Sequence, residues 1–149
     1  MDVVPRPSKK PSAASLPLPP ERLVFFVDRD LGRYVVPNAL RKAGEDVRAH
    51  DDHFPQTTKD EVWLAEVGKQ GWVVLTLDGR IRYHASETNA LLAAKVRAFV
   101  LAARGDLSGQ EIAQFFVNAL PSIKRFCAKT QPPFIARVSR EGEVSLLKS

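Results

Sequence analysis

One cysteine, one methionine, two tryptophans, two tyrosines and three histidines are all that this chain of 149 residues contains of these types. The single thiol, Cys127, excludes an internal disulfide and suits a reducing cytoplasm better than secretion. His50 and His53 in "HDDHF" lack the further ligands that a zinc site needs, and His84 reads as a loop residue. No apolar run reaches the roughly 20 residues of a membrane helix, and the N-terminus lacks the apolar centre of a signal peptide. No internal repeat is visible. A cytoplasmic chain without membrane contact is the expectation.

What is present is the composition of an ordinary globular protein, 44% hydrophobic and 26% charged, with length for one well-cored domain. Residues 1–20 hold six of the eleven prolines, a density that blocks helix and sheet pairing. Residues 1–21 are therefore read as a disordered tail and 22–149 as the domain. The net charge of +5 divides unevenly: residues 1–22, with four basic and two acidic side chains, contribute +2 of it. A domain charge of +3 is only a mild lean toward polyanions. Residues 79–104 carry five basic side chains and one acid, whereas 28–61 carry eight acids and six bases. A basic zone facing an acidic cluster suits a metal-dependent phosphodiester site, although a plain solvated surface gives the same counts.

Strands and helices alternate along the domain. "RLVFFVD" (22–28) is a continuous apolar run ending in acid, as in a buried parallel strand. "VPNALRKAG" reads as a helix with Pro37 at its first position and Gly44 past its end. A short strand follows at 47–49. A helix over 57–71 is signalled by a Thr58/Glu61 capping box. "WVVLTLD" is a third strand, a helix spans about 87–95, and "VRAFVLAA" (96–103) is a fourth strand. Ser108 and Glu111 start a helix with Ile112, Phe115, Phe116 and Leu120 on one face. A separate short helix begins at Pro121, with Ile123, Phe126 and Cys127 inward. The end reads as a hairpin turning at Glu141-Gly142. This order predicts a three-layer α/β/α sandwich around a mostly parallel sheet.

Ligands of such sheets bind beyond the C-terminal strand ends. Asp28 and Asp30 follow strand one, Asp78 follows strand three, and Asp60 opens the helix entered from strand two. Each acid alone has an ordinary explanation: Asp78-Gly79 is a turn pair, and Asp60 sits well in a helix's first turn. Together on one edge they are tolerable only if protonated or neutralised by a cation. Hard oxygen ligands without a cysteine or histidine set point to Mg²⁺ or Mn²⁺, on Asp28, Asp30, Asp60 and Asp78. Arg80 and Arg82 then hold phosphate oxygens.

The segments "VFFVDRDL", "LRKAGEDV", "DEVWLAEVGKQGWVVLTLD" and "RIR" together resemble a PIN-like domain of the VapC toxin-related group, over about residues 22–104. The resemblance implies a metal-dependent ribonuclease, commonly the toxin of a toxin–antitoxin pair. RNA is then the substrate, a cognate antitoxin the protein partner, and a homodimer one form of assembly. It makes Asp28, Asp60 and Asp78 the catalytic acids and groups Thr76 with Asp78 in a Thr-x-Asp motif on the substrate side. The final acid of the family pattern has no clear counterpart, Glu87 being nearest. Two alternatives stay open at this stage. One is a non-catalytic PIN-like module that binds RNA or a protein. The other is a receiver-type phosphoacceptor domain, which the lack of a lysine after "VRAFVLAARGD" opposes.

Overall fold

The computed structural model describes residues 23–77, 85–102 and 106–149, without the side chains of 85–87. The Pro-rich tail, Asp78, Arg80, Arg82, His84 and the Glu87 side chain therefore lie outside the described residues.

Three apolar residues in succession, Phe25, Phe26 and Val27, can all be fully buried only in a strand covered on both faces. That strand, β1 (Val24–Val27), leads through a 3₁₀ turn (Arg29–Leu31) to α1 (Val35–Lys42), β2 (Asp46–Ala49), a one-turn α2 (His50–His53) and α3 (Asp60–Gln70). β3 (Val73–Leu77), α4 (Ala85–Ala93), β4 (Arg97–Leu101), α5 (Gly109–Lys129), β5 (Phe134–Val138) and β6 (Val144–Lys148) follow. The six strands form one sheet in the order β2-β1-β3-β4-β5-β6, parallel except for β6.

Alternation along the strands sorts the core into two layers. Phe25, Val27, Val73, Leu75 and Phe99 face α1 and α5, meeting Val36, Leu40, Phe116 and Ile123. Phe26, Val74, Ala98 and Ile135 face α3 and α4, meeting Trp63, Val67 and Leu91. The α/β/α sandwich is thus as expected. The crossovers from β1, β2 and β3 share one hand. The crossover from β4 to β5 runs in the same direction across the sheet as that from β3 to β4, yet α5 lies on α1's face. Its hand is therefore opposite to theirs, against the strong preference for right-handed units. Eight-residue α1 is too short to cover this face alone, and α5 completes it.

Four local expectations are revised. α1 begins at Val35, because its first helical bond is Asn38 N–H to the Tyr34 carbonyl. Pro37 thus lies among the first-turn amides that have no helical acceptor anyway. α3 begins at Asp60 on an N-cap of Lys59 that makes no side-chain cap bond, so the Thr58/Glu61 box does not form. The helix after β3 runs from Ala85 to Ala93, two residues early at both ends. Pro121 does not start a helix but lies exposed within the 21-residue α5, whose buried stripe continues past it from Ala113 to Ile123. Phe116 is fully buried, and Phe115 and Phe126 pack against the same core.

Gly68 marks the tightest helix contact. A β-carbon there would lie 2.1 Å from the Ala94 carbonyl oxygen just past α4. Gly68→Ala is expected to lower unfolding stability by about 1–3 kcal/mol in urea titration, despite alanine's better helix propensity. Gly109→Ala, which meets only Val35 side-chain carbons at 3.4 Å, is the control. It should stay within about 0.5 kcal/mol of the parent.

Candidate functional site

Parallel pairing of β1 with β3 sets Val27 beside Leu75, and the Asp28 amide extends the ladder by donating to the Leu75 carbonyl at 3.0 Å. One step further, Asp28 and Thr76 become neighbours on the face shared by Phe26 and Val74. Both are buried. Asp28 also caps the 3₁₀ turn: its Oδ1 accepts the Arg29 amide at 2.7 Å. That turn brings Asp30 back over the end of β3. The Thr76 hydroxyl lies 3.0 Å from Asp28 Oδ2 and 3.0 Å from Asp30 Oδ2, and the Leu77 amide donates to the same Asp30 oxygen at 3.3 Å. Two carboxylates thus meet on one hydroxyl at the carboxyl edge of the sheet. A hydroxyl has a single proton, so it serves one of them at a time.

The Thr76 side chain is wholly buried, and its hydroxyl lies between the two acids.

Asp60 reaches the same edge by another route. Its Oδ1 accepts from Arg29 Nη2 at 2.8 Å and from the Trp63 indole at 3.0 Å. Arg29, between the two acids in "DRD", is the hub that reading the sequence missed. Its Nη1 also donates to the Gln56 and Thr58 carbonyls, both at 2.9 Å, and stands 3.2 Å from His50 Nε2. The only sequence signal for this role is a base flanked by two strand-tip acids. Arg29 thereby clamps the α2–α3 connection to the tip of β1. Among the described residues, no three His, Cys, Asp or Glu side chains gather as a ready metal site. Of the acids expected at the site, those among the described residues are Asp28 and Asp30, which meet on Thr76, and Asp60, which is bound by Arg29.

His50 is the other end of the clamp. It is buried against Phe26 and Trp63, with ring centroids 6.0 and 5.5 Å away. Its Nδ1 faces Asp51 Oδ1 at 3.0 Å, on the side of the ring away from Arg29. The Gln56 amide on Asp51, with help from His50, holds that carboxyl below its usual range and keeps it an acceptor. Burial pushes the Cys127 thiol up to about 11, which leaves it an inert core group.

A family profile described as "PIN like domain" matches residues 23–103, the span that carries Asp28, Asp30, Asp60 and Asp78. The chain belongs to the PIN-like domain family. A Mycobacterium tuberculosis protein named "Putative ribonuclease VapC45" is 32% identical to it over 127 residues, covering 83% of this chain and 91% of that protein. No solved structure matches the chain significantly. Strand order alone does not separate this PIN-like domain from a receiver domain, since both place strands as 2-1-3-4-5. The sequence match makes that separation, and the phosphoacceptor alternative is set aside. No helix among the described residues is long and apolar enough to cross a membrane.

Removing the clamp should be costly because its partners are only 15–19% exposed. Arg29→Leu removes the ion-pair partner of Asp60 and the donor to two carbonyls, and stability is expected to fall by roughly 2–4 kcal/mol in denaturant titration. Adding Asp60→Asn, which keeps an acceptor for the Trp63 indole, should restore at least about 1 kcal/mol.

Proposed function

We propose that this PIN-like domain is a divalent-metal-dependent endoribonuclease that hydrolyses RNA phosphodiester bonds in the cytoplasm, as the toxin of a toxin–antitoxin pair. The observation that carries the reading is the meeting of Asp28 and Asp30 on Thr76 at the carboxyl edge, in a chain whose relative bears a ribonuclease's name. The donor set fits Mg²⁺ or Mn²⁺. Both ions take hard oxygen ligands, and magnesium is commonly held by one or two carboxylates with waters and substrate phosphates completing its shell.

Asp28 and Asp30 would hold the ion, with Asp78, the residue after β3, as the third acid. The bound ion would supply water activation and neutralise charge developing on the phosphate. Thr76 orients the two carboxylates toward each other. Arg29 holds Asp60 in an ion pair at the same edge, and Asp60 is proposed with them as an acid of the site. Arg80 and Arg82 are assigned to the RNA backbone. The partner protein is a cognate antitoxin, and pairing of two copies belongs to the same proposal.

RNA cleavage is expected with Mg²⁺ or Mn²⁺ and should stop with EDTA. Asp28→Asn and Asp78→Asn should each reduce it by roughly a hundredfold or more. Unchanged cleavage by both variants would remove the site, and RNA binding without cleavage in any divalent metal would leave a binding module. Thr76→Val preserves shape but deletes the shared proton. Its cleavage should fall about ten- to a hundredfold, with more Mg²⁺ needed for half-maximal rate. Growth arrest on expression, relieved by Asp28→Asn, tests the toxin role.

A further inference from the structure

α5 carries its charge unevenly: Glu111 opens it, and its bases, Lys124, Arg125 and Lys129, all lie in its second half. Lys124 is paired with Glu45 at 2.7 Å. Arg125 and Lys129 are exposed, and among the described residues neither forms an ion pair. Arg125 Nη2 donates to the Ser122 hydroxyl at 3.0 Å. With Ser122, Phe126, Glu143 and Val144, the two bases line a groove of about 360 Å³ between α5 and β6. Its floor is apolar, and one acid stands against two bases, so its balance is positive.

β6 closes the sheet on this side, and among the described residues its outer edge pairs with nothing. Val144 and Leu146 lie opposite Val138 and Ala136, which belong to the α5 layer, so both stand on the α5 side. Val144 packs against the core there, whereas Leu146 is 51% exposed. Leu147, which the pairing with β5 skips, is exposed beside it. Edge strands are ordinarily blunted by proline, charge or a bulge. β6 has no proline, its one charge is Lys148 at the last position, and the bulge at Leu147 leaves Val144, Ser145 and Leu146 as a regular edge. Backbone donors and acceptors beside a bare leucine are a template for another strand.

We propose that this groove takes an extended acidic segment of another protein, laid along the outer edge of β6 with its carboxylates on Arg125 and Lys129. One helical turn, about 6 Å, separates the two bases, and same-face residues of a strand repeat at about 6.8 Å, so acids at alternate positions meet both. Main-chain bonds to the edge supply affinity, and the alternating side chains supply specificity. RNA has the charge, but it offers neither strand hydrogen bonds nor an apolar cover for Leu146. The chain's own residues 1–22 carry a net +2 and six prolines, the wrong charge and too few amide donors. A second copy joined edge to edge about a two-fold axis would bring its own Arg125 and Lys129 to the same side, base against base. The groove edge is three strands from β3, about 14 Å across the sheet, so the inference does not rest on the ribonuclease reading.

The probe is a short fluorescein-labelled peptide alternating glutamate with valine, titrated with the full chain in EDTA and followed by fluorescence anisotropy. A lysine–valine peptide is its counterpart. The acidic peptide should bind the parent, and the basic one should not. Arg125→Glu combined with Lys129→Glu should weaken the acidic peptide at least about tenfold and admit the basic one. Methylating alternate backbone amides of the acidic peptide should weaken it likewise, since pairing along β6 needs those donors. Thermal unfolding of the double variant should match the parent, because both side chains are exposed. Equal binding of the acidic peptide by parent and double variant, or none by the parent, overturns the proposal. Binding that methylation leaves unchanged overturns it too. Displacement of the peptide by a short single-stranded RNA assigns the rim to nucleic acid and has the same effect. A parent dimer that Leu146→Lys dissociates in light scattering gives the edge to a second copy and likewise overturns it.

Discussion

A parallel ladder between β1 and β3 puts a threonine beside an aspartate, and everything at the carboxyl edge depends on that register. Thr76 has one proton to offer, and two carboxylate oxygens lie 3.0 Å from it. Slipping either strand by one residue would turn Asp28 or Thr76 to the opposite face, among Phe25, Leu75 and α1, where a carboxylate has no partner. The register is held by the apolar residues preceding the site, since Phe26 and Val74 must face Trp63 while Phe25 and Val73 must face α1 and α5. Packing thus aligns the chemistry.

Arg29 converts this local arrangement into a larger one. A carboxylate pair at a strand tip needs little else from the fold, but Asp60 arrives from a different crossover, separated from β1 by α1, β2 and α2. One guanidinium links them, with two backbone carbonyls as further acceptors and His50 alongside. Each acceptor limits where the plane of the guanidinium can lie, so Asp60 is fixed in direction as well as distance. The aromatic packing of Phe26, His50 and Trp63 closes the space behind the clamp.

Most of the architecture was readable from pattern. Unbroken apolar runs ending in acid marked β1 and β3, and strand–helix alternation gave the sandwich and its ligand-binding edge. Asp28 and Asp30 were readable for the same reason, because strand ends and fold class determine where they point. Arg29 was not readable: its partners are residues 50, 56, 58 and 60, and no local rule connects a turn arginine to a loop beyond the next strand. The missing α3 box has the same origin, since the Thr58 carbonyl is engaged with that arginine. Pro121 misled because its exposed ring costs one helical bond while the buried stripe on the other side of α5 continues uninterrupted. Thr76 was recognised for its motif, and its burial between two acids was not readable from that motif.

The reversed hand of the last crossover divides labour along the chain. Up to β4, three like-handed units carry the acids and their arginine, and they leave the α1 side of the sheet partly bare around Phe99 and Leu101. α5 and the β5–β6 hairpin then swing back as a roof over that side, bringing Phe116, Ile123 and Phe134 but none of the acids proposed to do chemistry. The acids proposed for chemistry and the weatherproofing occupy separate lengths of one polymer. Drift in the roof, so long as it still sheds water, can therefore proceed without touching the reaction beneath it.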